Sequence, residues 1–159
     1  MATTSRRGKR AATVRRARPT DAPAIVDFQM RMAWETEGIR LDPPTVGRGV
    51  RAVFKDPAKG EYWVAELDGR PAGCTLVIRE WSDWRNGAVL WIHSLYVVPD
   101  ARRRGVFGAL YRRLKRRVER SPRLKGLRLF VDKKNRRAQR AYEAMGMTRD
   151  HYHLYEWLK

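Results

Sequence analysis

Residues 95–111, with the sequence LYVVPDARRRGVFGALY, decide how this chain folds. They begin as the end of a long apolar run (AVLWIHSLYVV, residues 88–98) of the kind that forms a buried central strand, and Pro99 ends that run. Three arginines and Gly105 follow, and apolar residues then recur at helical spacing. The stretch therefore predicts a strand, a basic turn containing glycine, and a helix.

The turn predicts an anion-binding site. The first N–H groups of a helix have no partner inside the helix, and the helix dipole places about half a positive charge there. Gly105 and Gly108 permit an anion to approach the main chain closely, and the neighbouring arginines add charge. The turn lacks the Gly-Lys-Ser/Thr of a P-loop and the Gly-x-Gly-x-x-Gly of a dinucleotide site. A phosphate-bearing ligand is indicated, and an ordinary basic turn at a helix start is the alternative.

The rest of the chain supplies a sheet and further helices. Asp68-Gly69 separates two β-prone runs, which is typical of a hairpin. Residues 35–44 are predicted to form a connection, and residues 147–158 to supply one or two closing strands. A mixed α/β sheet with helices on both faces follows. The other predicted elements are strands at residues 13–18, 62–67, 71–80, 88–98 and 127–131 and helices at residues 21–34, 45–55, 106–120 and 135–145.

Composition limits the class of protein. The chain has 159 residues, which suits one domain, and it contains no apolar run of the ~20 residues that span a bilayer. Its one cysteine, Cys74, cannot form an internal disulfide, so we expect a cytoplasmic protein. We also expect no metal site, because no Cys/His pattern for zinc is present. Residues 1–12 are predicted to be a disordered basic tail, and residues 13–159 a single domain.

The net charge of +18 is unusual. Residues 1–18 hold seven basic residues and no acidic one, and residues 101–128 hold twelve basic residues and one glutamate. Such a surface attracts polyanions, which include nucleic acid and phosphorylated cofactors. A basic nucleic-acid-binding module is therefore an alternative function of a different class. No helix-turn-helix, RNA-recognition or zinc pattern accompanies the charge, which argues against nucleic acid as the primary partner.

The basic turn resembles the acetyl-CoA motif of the GNAT superfamily of N-acetyltransferases. The family pattern Gln/Arg-x-x-Gly-x-Gly/Ala matches from Arg102 to Val106, and Phe107 stands where the family has Gly or Ala. The resemblance implies a mostly antiparallel sheet of six to seven strands with a V-shaped splay between strands 4 and 5. It also implies acetyl-CoA as the donor, held by Leu95, Tyr96, Val97, Arg102, Arg103, Arg104, Gly105, Val106, Phe107, Gly108 and Ala109.

A second motif of the same family follows about thirty residues later. Residues 135–147 are similar to the pattern N-x-x-A-x-x-x-Y-x-x-x-G-F, with Met147 in place of Phe. The resemblance implies that Asn135 contacts the pantetheine arm and that Tyr142 lies near the thioester sulfur. Tyr142 is accordingly our candidate for the acid that assists the leaving thiolate, and a half-buried core tyrosine is the alternative.

Acetyl transfer to an amine also needs a group that takes a proton, because an alkyl amine is mostly protonated at pH 7. His93 lies on the central strand at an offset that resembles the catalytic histidine of the arylalkylamine branch, and imidazoles exchange protons near neutral pH. Glu35 and Glu37 are predicted to follow the first helix, where the family builds its acceptor site. Glu35 is a second candidate for the base. The predicted acceptor-binding residues are Glu35, Glu37, Trp81, His93 and Asp132.

The sequence therefore predicts an N-acetyltransferase that acts on a small-molecule amine by direct attack in a ternary complex. Transfer to a protein lysine or N-terminus is the alternative within the same family. No membrane partner is expected. A homodimer is compatible with the sequence, although no residue requires one.

Overall fold

The computed structural model describes residues 11–149 and 151–159, so most of the predicted basic tail lies outside the described residues. Residues 11–129 form one compact unit and residues 130–159 a second, smaller one. No helix in these residues is long and apolar enough to cross a bilayer. In chain order the elements are β1 (Thr13–Arg16), α1 (Ala22–Glu37), α2 (Pro43–Lys55), β2 (Glu61–Leu67), β3 (Arg70–Ser82), β4 (Gly87–Val97), α3 (Val106–Glu119), β5 (Leu124–Leu129) and α4 (Arg136–Ala144).

The five strands lie in one sheet in the order β1-β2-β3-β4-β5. The first three pairings are antiparallel, and β4 pairs with β5 in parallel. The predicted hairpin between β2 and β3 is confirmed, since Asp68 and Gly69 have φ of 53° and 77°, as a tight primed turn requires. The parallel pair needs a long crossover, and α3 supplies it.

A bulge interrupts β4 at Ser94. Cys74 and Leu76 on β3 stand opposite Tyr96 and His93 on β4, so the one residue between them on β3 faces two residues on β4, Ser94 and Leu95. Ser94 has φ of 49°, a left-handed conformation that is rare in a strand. The pairing of β4 with β5 ends where Ile92 stands opposite Leu129. β4 therefore continues for five residues beyond its parallel neighbour, as the predicted opening between strands 4 and 5 requires.

Helices cover both faces of this sheet. On one face, Ile25 and Phe28 of α1 and Val50 of α2 pack with Tyr62 and Tyr96 in a buried cluster. On the other face, α3 buries Val106, Leu110 and Leu114 completely or nearly so, at 1%, 0% and 0% exposure. The predicted mixed α/β class is confirmed.

Two predictions about elements are wrong. The sheet has five strands in the described residues and not six or seven, because residues 147–149 and 151–159 form no strand. A β-prone run becomes a strand only when its main-chain groups pair with a neighbouring strand, and these residues make no such pairing. Glu35 and Glu37 lie in the last turn of α1 and not after it, since the helix ends at Gly38 in the left-handed conformation (φ 69°).

Candidate active site

The basic turn joins β4 to α3 and begins with a short 3-10 turn, Pro99–Ala101. Arg103 and Gly105 both have positive φ, 61° and 79°. Left-handed residues that alternate with ordinary ones turn successive N–H groups toward one side and create a concave site for anions. A Cβ at Gly105 would meet no atom within 4 Å, so the space beside the main chain is open there.

The first turn of α3 has no side-chain cap. The first hydrogen bond of the helix runs from the Ala109 N–H to the Gly105 carbonyl at 2.9 Å, so the N–H groups of residues 105–108 precede the helical ladder. A helix start that lacks a capping side chain is suited to an external anion. This geometry is compatible with the phosphate-bearing ligand that the sequence predicts at the turn.

The three arginines of the turn have different partners. Arg102 pairs with Glu35 of α1, and its Nε donates to the Val97 carbonyl at 2.9 Å. Arg104 pairs with Asp68 in the β2–β3 turn at 3.0 Å. Within the described part of the chain, Arg103 forms no ion pair, and its side chain is exposed. Of the three guanidinium groups, only that of Arg103 is left without a carboxylate partner among the described residues.

Glu35 connects α1 to the end of β4. The Tyr96 hydroxyl donates to Glu35 Oε1 at 2.6 Å, and Arg102 donates to Oε2. The Arg102 guanidinium also lies over the Tyr96 ring, 5.6 Å from its centroid. These three side chains, which we call the Glu35–Tyr96–Arg102 cluster, join the first helix, the central strand and the basic turn.

Electrostatics in this cluster disfavour Glu35 as a proton acceptor. Burial opposes ionisation of the carboxyl, but hydrogen bonds from Tyr96 and Arg102 outweigh it, so the pKa of Glu35 lies below its ordinary value. Burial and the neighbouring carboxylate raise the pKa of Tyr96 to about 12. Tyr96 consequently keeps its proton at neutral pH and remains the donor to a carboxylate that stays ionised.

The bulge in β4 brings His93 to the face of the sheet that carries Tyr96. Residues three apart on a regular strand face opposite ways, and the extra residue restores them to one face. His93 is exposed, and its Nδ1 lies 3.2 Å from the Ser94 hydroxyl. A histidine and a tethered carboxylate thus share the α1 face near the end of β4.

The main chain of Val97 is directed toward the side on which β5 has ended. The Val98 N–H donates to the Ala72 carbonyl at 3.0 Å, so Val98 faces β3. Successive residues of a strand direct their main-chain groups to opposite edges, so Val97 faces the other edge. The Val97 carbonyl accepts the hydrogen bond from Arg102 Nε. The Val97 N–H is therefore the main-chain donor that this residue directs to that edge.

The predicted acceptor residues do not all lie together. Trp81 is 66% exposed and stands opposite Ala88 in the β3–β4 hairpin. At about 3.3 Å per strand residue, that position lies roughly 30 Å along β4 from Val97. Glu37 is exposed on the same helical turn as Glu35 and forms no ion pair with the described residues.

The smaller unit holds the second motif. Asn135 caps α4, and its Oδ1 accepts from the Ala138 N–H at 3.0 Å. The NH2 group of the same amide is a donor of the kind that a pantetheine carbonyl requires. Asp132 Oδ1 accepts from the Lys134 N–H at 2.7 Å, which stabilises the turn before the helix. Tyr142 is half-buried, and burial raises the pKa of its hydroxyl.

Two features escaped the sequence analysis. The Tyr96 phenol was predicted only as part of a main-chain binding strand, and its bond to Glu35 spans 61 residues of sequence. Gln139 is buried at 7% exposure, and its Nε2 donates to the carbonyls of Asp132 and Lys133 at 3.0 and 2.9 Å. No local pattern indicates either contact. In residues 11–149 and 151–159, no group of three or more potential ligands is arranged to hold a metal ion.

Comparisons with known proteins agree with this geometry. The model of the acetyltransferase (GNAT) family matches residues 24–147. A solved structure described as a possible acetyltransferase from Clostridium difficile 630 is 36% identical, with a TM-score of 0.86 over 94% of this chain and 99% of that one. No curated protein matches the chain.

More distant structures share the fold. A ribosomal-protein-alanine N-acetyltransferase from Brucella melitensis biovar Abortus 2308 is 17% identical, with a TM-score of 0.74 over 93% of this chain and 100% of that one. A transcriptional regulator from Bacillus halodurans C-125 is 20% identical, with a TM-score of 0.78 over 92% of this chain and 99% of that one. The family match covers both sequence motifs and the whole of the basic turn, and the chain therefore belongs to the GNAT family of acetyltransferases.

Proposed function

We propose that this protein transfers an acetyl group from acetyl-CoA to an amine of a small molecule, by direct attack of the amine in a ternary complex. The observation that carries the proposal is the start of α3, which has no side-chain cap and follows two residues with positive φ. Main-chain N–H groups of residues 105–108, which precede the helical ladder, would hold the pyrophosphate, and Arg103 would add positive charge beside them.

The remaining donor contacts are those that the family resemblance implies. Main-chain groups of Leu95, Tyr96 and Val97 would pair with the pantetheine arm as a strand added to a sheet edge, and Asn135 would supply a further donor. When bound, acetyl-CoA supplies an acetyl group that its thioester activates. The Val97 N–H would stabilise negative charge on the acetyl oxygen, and this role is supported by its direction, away from β3.

Proton transfer is assigned to two residues. Tyr142 carries a phenol, which is protonated at neutral pH and can donate a proton or a hydrogen bond to the leaving sulfur; burial raises its pKa and so keeps it in that form. His93 is the better candidate for the base, because it is exposed while Glu35 is tied to Tyr96 and Arg102. We assign Glu35 to holding α1 against the turn and to favouring a cationic acceptor by its charge. The roles of Glu37, Trp81 and Asp132 in acceptor binding stay predictions.

Thermal melting with acetyl-CoA, CoA and ATP tests the donor site. A ligand at 100 times its Kd stabilises the folded state by about 2.7 kcal/mol, so both CoA forms should raise the Tm by several degrees. ATP should raise it little. An equal shift with every polyphosphate would reduce the turn to a basic surface and defeat the proposal.

Release of free CoA thiol then tests the acceptor. A polyamine, an amino acid and an aminoglycoside would be compared with a lysine-containing peptide and a peptide with a free N-terminus. Higher kcat/KM with a small amine supports the proposal, whereas a clear preference for a peptide would replace it with protein acetylation.

The cytoplasmic location and the homodimer also stay predictions.

A further inference from the structure

Helix α3 carries more positive charge than the proposed acyl transfer uses. Its solvent-facing side contains five exposed cations and a single carboxylate, that of Glu119. We call these cations the α3 basic face; they are Arg112, Arg113, Lys115, Arg116 and, at the C-cap, Arg120. None of them lies in the first turn of the helix, where the pyrophosphate is assigned.

The packing of α3 fixes this face toward solvent within residues 11–129. The opposite side of the helix buries Leu110 and Leu114 completely. At the border, the guanidinium groups of Arg113 and Arg117 lie 5.3 and 5.7 Å from the Trp63 ring, and Arg117 also pairs with Glu61. Among the residues that the structure describes, no cation of the α3 basic face forms an ion pair with a carboxylate.

The stability of the helix does not account for this arrangement. Cations near the C-terminal end of a helix interact favourably with the negative end of its dipole. This effect accounts for the positions of Arg116 and Arg120 but not for those of Arg112 and Lys115. Arg112, Arg116 and Arg120 follow one another at i, i+4, a spacing at which like charges repel and weaken a helix. The cluster is thus unfavourable for the isolated chain and calls for an anionic partner.

The chemistry of the face selects the partner. Four of its five cations are arginines, whose planar guanidinium binds phosphate with two parallel hydrogen bonds. At 1.5 Å per residue, Arg112 and Arg120 are about 12 Å apart along the helix. Along the axis of a duplex, each strand carries a phosphate about every 3.4 Å, so a face of this length can meet more than one phosphate.

Other partners fit the face less well. The large apolar side chains that residues 11–129 expose are Trp34, Ile39, Trp81 and Trp84, and none is on α3. The core of a protein interface is depleted in charge and rich in aromatic residues, and a helix that lies in a membrane surface inserts apolar side chains. We propose that the α3 basic face binds the phosphate backbone of nucleic acid without reading its sequence, at a site separate from that of the acyl donor.

Fluorescence anisotropy of the full chain with a labelled 20-base-pair DNA duplex and a labelled 20-nucleotide RNA, over a series of salt concentrations, tests the proposal. The test variant is Arg112→Gln/Lys115→Gln/Arg116→Gln. The control is Arg48→Gln/Arg51→Gln/Lys55→Gln on α2, which removes the same charge from exposed positions of another helix. Glutamine is a good helix former, so both variants should fold.

We expect the test variant to bind at least tenfold more weakly at about 0.1 M salt, and to reduce the slope of log K against log salt by about 2 to 3. The control should change affinity less than threefold. Arg112→Lys/Arg116→Lys, which keeps the charge, should retain most of the binding. A Tm shift with acetyl-CoA that matches wild type shows that each variant is folded.

Three results would overturn the proposal. An equal loss in the two glutamine variants would assign binding to net charge and not to α3. Failure of the wild-type chain to bind either nucleic acid would remove the site. Binding to phosphatidylserine vesicles or to polyglutamate, without binding to either nucleic acid, would assign the face to a membrane or to an acidic protein.

Discussion

Arg102 matches the first position of a cofactor-binding motif, yet its guanidinium is engaged in contacts within the protein. Its Nε donates to the Val97 carbonyl at 2.9 Å, and its terminal nitrogen pairs with Glu35. With both ends engaged, Arg102 holds the turn and the strand edge in place. The phosphate contacts proposed for this turn then depend on main-chain N–H groups and on Arg103.

Gly105 tests those main-chain contacts. Gly105→Glu should weaken the binding of CoA at least tenfold, because a carboxylate would meet the pyrophosphate at a position where a side chain has open space. The left-handed backbone at φ 79° adds a cost of about 1–2 kcal/mol to folding for any residue with a Cβ.

Gly38→Glu is the matched control for Gly105, since Gly38 has φ of 69° and equally open space. It should lose comparable stability and retain its affinity for CoA in isothermal titration calorimetry. Equal affinity in the two variants would mean that the anion site lies elsewhere.

Tyr142 tests the proposed acid. Tyr142→Phe should lower kcat by about 100-fold, within the range that a positioned acid contributes, and leave the Kd of CoA almost unchanged. Tyr62→Phe removes the same atom from a buried tyrosine of the core and should leave kcat near the wild-type value. Burial raises the pKa of Tyr142, so loss of its proton should not limit the wild-type rate at neutral pH. An unchanged kcat in Tyr142→Phe would remove this residue from the mechanism.

At the scale of elements, Glu35 determines how α1 meets β4 and the basic turn. Glu35→Gln should destabilise the protein by about 1 kcal/mol at pH 7. In fully buried sites, hydrogen bonds to a charged group contribute more than about 1 kcal/mol to stability. The Glu35 side chain is 33% exposed, so solvent screening lowers that contribution here. Urea denaturation measures the difference.

The pH dependence of that difference has a definite sign. The pKa of Glu35 in the folded protein lies below the ordinary value of about 4.3, so its ionised form stabilises the fold above that pH. The difference between wild type and Glu35→Gln should therefore shrink as the pH falls through the folded-state pKa. Glu37→Gln, on the same turn of α1, should cost little at any pH. A difference independent of pH would mean that packing, and not charge, holds the cluster.

The elements predicted from sequence are those with strong local signals. Each of these signals lies within about a dozen residues: the Asp68-Gly69 hairpin, the apolar run of β4 and the helical spacing of α3. Where an element ends and what it pairs with depend on contacts between residues that are far apart in sequence. α1 continues to Glu37, where Tyr96 and Arg102 engage its last turn. Residues 147–149 and 151–159 are β-prone in composition but form no strand, because composition alone does not provide a pairing partner.

In the candidate site, too, the local features could be predicted from sequence and the long-range contacts could not. The anion-binding turn could be predicted because its chemistry is main-chain and local: a strand, a glycine and the start of a helix. The bulge at Ser94 and the cluster around Glu35 could not be placed, since serine has no preference for φ of 49° in a strand and Glu35 lies 67 residues from Arg102.

For the molecule as a whole, the balance between ion pairs and excess charge decides how it responds to salt. Nine of its seventeen acidic residues are in ion pairs in the described residues, and most of these pairs are partly exposed. Exposed pairs contribute little, whereas the like charges that make up the net charge of +18 repel one another. Screening should therefore remove more repulsion than attraction.

We accordingly expect the Tm to rise by about 2–4 °C when NaCl increases from about 0.01 M to 0.15 M, over which the Debye length falls from about 30 Å to about 8 Å. Differential scanning calorimetry of the free protein measures it. The variant Arg112→Gln/Lys115→Gln/Arg116→Gln should show a smaller rise, because three charges of the most crowded cationic helix are gone. A Tm that falls with salt would mean that the ion pairs, those of Glu35 and Glu61 above all, outweigh the repulsion among the arginines.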